Sequence, residues 1–163
     1  MTITQERLKQ LITYDPETGL FTWNIYRGGQ YPGDLAGTPD GLGYWRISID
    51  GRLYQSHRLA FLYVEGKFPD ESVDHISRNP SDNSWKNLRK CTQKQNIWNS
   101  KGSGKYGKNV YFVCGETRKK KFNVKFEIGG KSKSFGYFFT PEEALIKANE
   151  IRNLLHGEFA FNN

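Results

Sequence analysis

Apolar positions come in short runs along this chain, and the period changes from one run to the next. Leu8, Leu11 and Ile12 fall on one side of a segment whose other side is Gln5, Glu6, Lys9 and Gln10, the spacing of a short amphipathic helix over residues 4–13. Asp15-Pro16-Glu17-Thr18-Gly19 follows with turn chemistry, since Pro presets the first central dihedral and Gly accepts positive φ. Leu20-Phe21-Thr22-Trp23 then reads as a strand. Residues 27–43 hold six of the seventeen glycines and little apolar material, which predicts an exposed loop or ribbon. Trp45, Ile47 and Ile49 alternate with Arg46, Ser48 and Asp50, a half-buried strand, and Asp50-Gly51 is a hairpin signal leading into Arg52-Leu53-Tyr54. Residues 57–65 return to helical spacing, with Leu59, Ala60, Leu62 and Tyr63 as the stripe and Gly66 placed to end the helix in the left-handed conformation.

Pro69-Asp70 breaks the chain ahead of Ser72-Val73-Asp74-His75, which reads as one strand of a ribbon. A polar run over residues 77–86 separates it from a return strand over residues 87–91. Thr92 and Gln95 have capping-box spacing and open a helix to about Asn99. Ser100-Lys101-Gly102-Ser103-Gly104-Lys105 is a flexible linker by composition. Beyond it, residues 109–114, Phe122–Ile128 and residues 132–138 read as three strands, joined through Gly115-Glu116-Thr117 and Gly129-Gly130. Phe122, Val124, Phe126 and Ile128 share one face of the middle strand, and Asn123, Lys125 and Glu127 the other. Thr140-Pro141-Glu142-Glu143 caps a final helix with Ala144, Ala148, Ile151 and Leu155 as its stripe and Gly157 at its end.

The pattern is α+β in two modules: residues 1–100, linker 101–105, and residues 106–163. Charge separates them further. Residues 1–100 carry 12 Lys/Arg against 11 Asp/Glu, and residues 101–163 carry 12 against 6, so nearly all of the net +7 lies in the second module. A concentrated basic surface suits a polyanion, because each neutralised phosphate releases condensed counterions, though it serves solubility equally well. Cys91 and Cys114 are far apart and form no C-x-x-C pair, which argues against structural zinc and against a disulfide framework. The N-terminus lacks an apolar signal region, and no stretch approaches the roughly 18 apolar residues of a membrane span, so an intracellular protein is expected.

Candidate chemistry concentrates between residues 74 and 96. Asp74 and the Asn96 amide are hard oxygen ligands of the kind that Mg²⁺, or as second choice Mn²⁺, accepts. His75 has a reference pKa of about 6.5, suitable for a general base near neutrality, and Asn87 can accept from the ring's other N–H. Spacing alone leaves another reading open, in which Asn79, Asn83 and Asn87 are loop and turn formers. Elsewhere, His57 is weighted toward packing over a phosphate contact, and His156 toward a structural place in the last helical turn. Trp85 and Trp98 are expected in local cores. Arg89 is favoured as a phosphate contact, and the Arg118-Lys119-Lys120-Lys121 run is either a solvated hairpin end or a phosphate grip.

Asp74-His75-Ile76, Asn79, Asp82-Asn83, Asn87-Leu88-Arg89 and Asn96 resemble the HNH nuclease motif, in the version common in phage homing endonucleases whose last ligand is Asn. His57-Arg58-Leu59-Ala60-Phe61-Leu62-Tyr63 and the opening from Tyr14 to Trp23 look like the same phage group. The resemblance implies a ββα-metal core over about residues 57–100, with Asp74 and Asn96 as metal ligands, His75 as general base and Asn87 as its positioner. Ser77-Arg78-Asn79 stands where Asp-Gly-Asn is more usual. The tail is similar to an AP2 DNA-binding domain at Lys108-Asn109-Val110, Phe122–Ile128, Phe135-Gly136-Tyr137-Phe138 and Thr140-Pro141-Glu142-Glu143-Ala144. That resemblance implies a DNA-facing set of Lys108, Tyr111, Val113, Asn123, Lys125, Glu127, Ser132 and Ser134, with Ser132 and Ser134 where plant members have Arg and Trp.

Together these imply an endonuclease acting on double-stranded DNA in an infected bacterial cytoplasm, using one divalent metal and leaving 5′-phosphate and 3′-hydroxyl ends. A monomer is slightly favoured, and its single catalytic set makes nicking the simpler outcome. The competing class is a non-catalytic DNA-binding or regulatory protein that keeps the scaffold. A third, an inhibitor of another enzyme, has no positive sign in the sequence.

Overall fold

The computed structural model describes residues 3–102, 104–115 and 117–162. Ser103 of the expected linker and Glu116 of the expected hairpin turn lie outside the described residues. Four helices and four small antiparallel sheets are present among those residues, and the chain divides into two compact units, Met1–Asn96 and Ile97–Asn163.

In the first unit, α1 (Gln5–Leu11) starts at Thr4, whose hydroxyl accepts from the Arg7 amide, and it buries Leu8 and Leu11. It stops two residues short of the expected end. Ile12–Tyr14 instead forms β1, antiparallel to β2 (Phe21–Trp23), because the pairing buries Ile12, Tyr14, Phe21 and Trp23 together while a continued helix would not. The turn between them is the expected one. Asp15 takes the Glu17 amide and the Thr18 hydroxyl on its carboxylate, and Gly19 sits at φ 75°. Inside the glycine-rich stretch only β3 (Thr38–Pro39) is regular. It pairs with β4 (Trp45–Ile49), which pairs with β5 (Arg52–Gln55) through a tight turn where Asp50 and Gly51 both have positive φ.

Helix α2 (Ser56–Glu65) buries Leu59, Ala60, Phe61 and Leu62 against these strands and ends at Gly66, φ 82°. Full burial of Leu59, Phe61 and Leu62 contributes about 2 kcal/mol each. β6 (Ser72–His75) and β7 (Leu88–Cys91) form the ribbon, with a short 3₁₀ turn at Trp85–Asn87 delaying β7 by one residue. Trp85 lies against Phe61, ring centroids 4.8 Å apart, so this tryptophan is local core. α3 (Gln93–Asn99) opens with the expected reciprocal cap, Gln95 N–H to Thr92 Oγ1 at 3.2 Å and Thr92 N–H to Gln95 Oε1 at 2.8 Å.

The second unit is a three-stranded sheet in the order β10 (Lys131–Phe138), β9 (Phe122–Ile128), β8 (Val110–Phe112), with α4 (Pro141–His156) packed on one face. Its compact part begins at Ile97, ahead of the composition-based linker. The cause is Lys108, whose ammonium donates to the carbonyls of Ile97, Trp98 and Ser100 at 2.7–2.9 Å and so satisfies the C-terminal carbonyls of α3. Trp98 also stacks on His156, ring centroids 4.2 Å apart. Arg152, fully buried, donates to the carbonyl of Lys108 and to Asn109 and Asn149, which fixes the start of β8 against α4. No described helix is long and apolar enough to cross a membrane.

Candidate active site

The ribbon register decides what meets what. Asp74 pairs across with Arg89 and His75 with Leu88, so the carboxylate and the guanidinium share a cross-strand position. Arg89 Nε and Nη2 both lie 2.8 Å from Asp74 Oδ2, with the two side chains only 12% and 6% exposed. Arg89 was expected to reach a phosphate. Its guanidinium instead orients the candidate metal ligand, and the pairing uses a single carboxylate oxygen.

His75 is 5% exposed, and its Nε2 lies 3.2 Å from Asn83 Oδ1. An amide oxygen only accepts, so the tautomer making this bond carries its proton on Nε2 and its lone pair on Nδ1. Burial pushes the His75 pKa down, partly offset by the Asn83 bond and the nearby Asp74 and Asp82 carboxylates, which leaves a neutral imidazole at pH 7. The orienting amide is thus Asn83, where Asn87 was expected. Asn87 closes the loop on itself: its Oδ1 accepts from Ser77 N–H at 2.8 Å and its Nδ2 donates to the Asp82 carbonyl at 2.7 Å. Asp82 in turn accepts from the Ser84 hydroxyl and amide, which hold its carboxyl below the usual range. Arg78 takes φ 63°, the left-handed conformation that the more usual glycine at this position adopts without strain.

The opening motif lies directly beneath this loop. Tyr14 donates its buried hydroxyl to the Asn83 carbonyl at 2.8 Å, and Trp85 N–H donates to the Pro16 carbonyl at 2.8 Å. Gly19 approaches so closely that a Cβ there would stand 2.2 Å from the backbone of Asn83 and Ser84.

Two further rings flank His75. His57, 6% exposed near the start of α2, meets it edge-on at 5.2 Å, and Tyr44 lies 5.9 Å from each imidazole. His57 therefore packs, as weighted above. Burial, with His75 and Arg58 nearby, pushes its pKa down to about 3. Below the unfolded value of about 6.5 the unfolded chain takes up a proton that folded His57 refuses, so stability falls with pH by about 1.4 kcal/mol per unit through that window. Between pH 7 and pH 5 His57 alone is expected to cost about 2 kcal/mol. Urea midpoints at the two pH values should separate less in His57→Gln than in the wild-type chain, and equal separations would refute the assignment.

Among the described residues no three His, Cys, Asp or Glu side chains gather as a metal site. The donor set still fits a hard divalent cation, because Asp74 and Asn96 supply oxygen and such ions keep water in their other positions. Asn96 is half-buried on α3, whose first residue, Gln93, contacts Ser72 of β6 through side chains 3.2 Å apart. Its backbone amide donates to the Thr92 carbonyl at 3.0 Å, and its side-chain amide makes no hydrogen bond with a described residue. Cys91 is an unsuitable ligand: its sulfur lies against the Ser72 carbonyl and burial pushes the thiol pKa up.

In the second unit, Tyr111, Lys125, Glu127, Ser132 and Ser134 share the sheet face opposite α4 and are exposed, and all of these but Ser134 line a groove with Val113. Two members of the expected set are otherwise engaged. Lys108 caps α3, and Asn123, fully buried, donates to Ser134 Oγ and the Gly136 carbonyl across the bulge where β10 slips register against β9.

A family model described as HNH endonuclease matches residues 54–97. The chain is 36% identical over 116 residues to an uncharacterized HNH endonuclease of Acanthamoeba polyphaga mimivirus, an alignment covering 70% of this chain and 59% of that protein. A solved structure described as DNA binding and cleavage by the HNH homing endonuclease I-HmuI is 28% identical, with a TM-score of 0.41, covering 53% of this chain and 49% of that one. The chain thus spans about half of one of these relatives and 59% of the other.

Proposed function

From a chain whose residues 54–97 belong to the HNH endonuclease family, we propose a metal-dependent endonuclease that hydrolyses phosphodiester bonds of double-stranded DNA, of the homing type found in phages. The observation that carries this reading is a buried His75 held by Asn83 beside Asp74 at the end of a β-ribbon. In the proposed reaction His75 Nδ1 takes the proton of a water attacking the phosphorus, the bond to the 3′-oxygen breaks, and that oxygen takes a proton from solvent water, leaving 5′-phosphate and 3′-hydroxyl ends. Asn83 keeps the proton on Nε2, and Arg89 keeps Asp74 turned to the site. HNH nucleases generally use a divalent metal, and Asp74 and Asn96 would hold it here, Mg²⁺ by donor chemistry. When bound, it supplies positive charge opposite the charge that develops on the phosphate and the leaving oxygen.

The DNA grip is assigned to the second unit, through Tyr111, Lys125, Ser132 and Ser134 on the open sheet face of an AP2-like module. Supporting this are the excess of basic residues after residue 100 and the absence of α4 from that face. A rival reading, a non-catalytic DNA binder, draws on the Arg89 pairing, which already satisfies one Asp74 oxygen.

Supercoiled plasmid incubated with the protein and Mg²⁺ separates the two readings. Relaxation to nicked circles, blocked by chelator, is expected; retarded but uncut plasmid at every metal concentration would favour the binder. The ligand assignment has its own test in Asn96→Ala. Because no described residue bonds that side-chain amide, melting should stay within about 0.5 kcal/mol of wild type while the Mg²⁺ concentration for half-maximal nicking rises about tenfold or more. An unchanged metal titration would remove Asn96 from the ligand set.

A further inference from the structure

The segment that matches the family begins at residue 54, yet one of the rings touching His75 comes from ahead of it. Tyr44 stands at the end of a turn over residues 40–44 that the sequence marks only as part of a glycine-rich stretch. The turn is internally braced. Asp40 N–H donates to the Tyr44 carbonyl at 2.8 Å, and Asp40 Oδ1 accepts from the Leu42 and Tyr44 amides at 2.8 and 3.0 Å. Its Oδ2 pairs with Arg46 at 2.6 Å.

The same turn is fastened to the catalytic loop. Ser81 donates its hydroxyl to the Gly43 carbonyl at 2.9 Å, and Gly43, at φ 87°, lies close enough to Pro80 that a Cβ would stand 3.2 Å from its ring. Tyr44 is thereby delivered to a three-ring cluster in which each ring touches the other two: Tyr44 to His57 and to His75 at 5.9 Å, and His57 to His75 at 5.2 Å.

The bond at Nε2 fixes the tip of the His75 ring, and rings packed on its flank restrain its plane. Misplacement of a reacting group by about 1 Å costs on the order of a hundredfold in rate, so restraint of the plane has catalytic value. We propose that Tyr44 is a positioning residue which, with His57, clamps the His75 imidazole, so that the family-matched segment is completed as a catalytic site by the turn at residues 40–44. The proposal rests on His75 being the general base.

The test compares Tyr44→Leu, Tyr44→Phe and His75→Ala in the full chain, reading kcat for plasmid nicking, DNA affinity by mobility shift, and the NMR positions of the His75 ring protons. Tyr44→Leu should lose about ten- to a hundredfold in kcat with DNA affinity within about twofold of wild type, and the His75 ring resonances should move. Tyr44→Phe, which keeps the ring, should rescue both rate and resonances. A wild-type kcat in Tyr44→Leu, or a Tyr44→Phe variant as slow as Tyr44→Leu, overturns the clamp while an inactive His75→Ala leaves the base assignment standing. Cleavage that survives His75→Ala overturns the base assignment and the clamp with it. Should Tyr44→Leu fail to fold, Ser81→Ala carries the test by releasing the turn without touching a ring. Severalfold loss of kcat supports the clamp, and an unchanged kcat refutes it.

Discussion

Replacing His75 by alanine is expected to slow DNA cleavage by about two to four orders of magnitude, the usual contribution of a positioned general base, while DNA binding measured in chelator stays near the wild-type value. The separation follows from where the residue sits. His75 ends β6 in the first unit, whereas the basic excess assigned to DNA contact lies beyond residue 100. His75→Gln is the companion variant. Its amide can still meet Asn83, so much of the loop's bonding is kept, but it cannot take a proton from water, and it should be as inactive as the alanine variant. Nicking by either variant at even a tenth of the wild-type rate would contradict the assignment, as would a loss of DNA binding parallel to the loss of cleavage.

Gly19→Ala is expected to be the most damaging small substitution in the first unit, although Gly19 is remote in sequence from every candidate catalytic residue. Two costs add. The backbone there has φ 75°, which a residue with a Cβ adopts at a penalty, and the new methyl would stand 2.2 Å from the Asn83 carbonyl carbon and the Ser84 nitrogen. These are backbone atoms that cannot rotate away as a flexible side chain would. Strain and overpacking together predict a loss of about 2 to 5 kcal/mol. Relief by shifting the loop would drag Asn83 from His75, so cleavage should fall even at temperatures where the variant remains folded. Thermal melting with nicking assays below the transition measures both, and a variant that melts and cuts like wild type would mean that the loop is not seated on this turn.

The residues that sequence reasoning placed well are those whose surroundings are local. The caps at Thr92 and Thr140, the turns at Gly19 and Gly51, and the ribbon around Asp74 and His75 follow from short-range chemistry, and each is found. Less legible were contacts set by register and by closure of long segments. Counting along the ribbon from His75 opposite Leu88 would have set Arg89 against Asp74, so that pair was recoverable. Asn83 in place of Asn87 was not, because which amide of a polar loop turns inward depends on the loop's own bonds, two of which consume Asn87. Tyr44 carried no signal at all in a stretch chosen for turns. Lys108 was set among the DNA-facing residues by the AP2 resemblance and Asn123 also by strand alternation, and both are diverted by backbone groups that needed donors: the open carbonyls of α3 and the bulge in β10.

The bond from Tyr14 to the Asn83 carbonyl joins residues 69 positions apart, while the bonds within the loop span ten or fewer. Local bonds can form as soon as the loop exists, but seating it requires closing nearly the whole first unit, and long closures carry their entropic cost before any contact rewards it. Competence at His75 therefore belongs to the late, non-local stage of folding. During synthesis the β1–β2 hairpin emerges ahead of the ribbon and waits for it, and until the two meet Asn83 is unseated and the His75 ring unoriented.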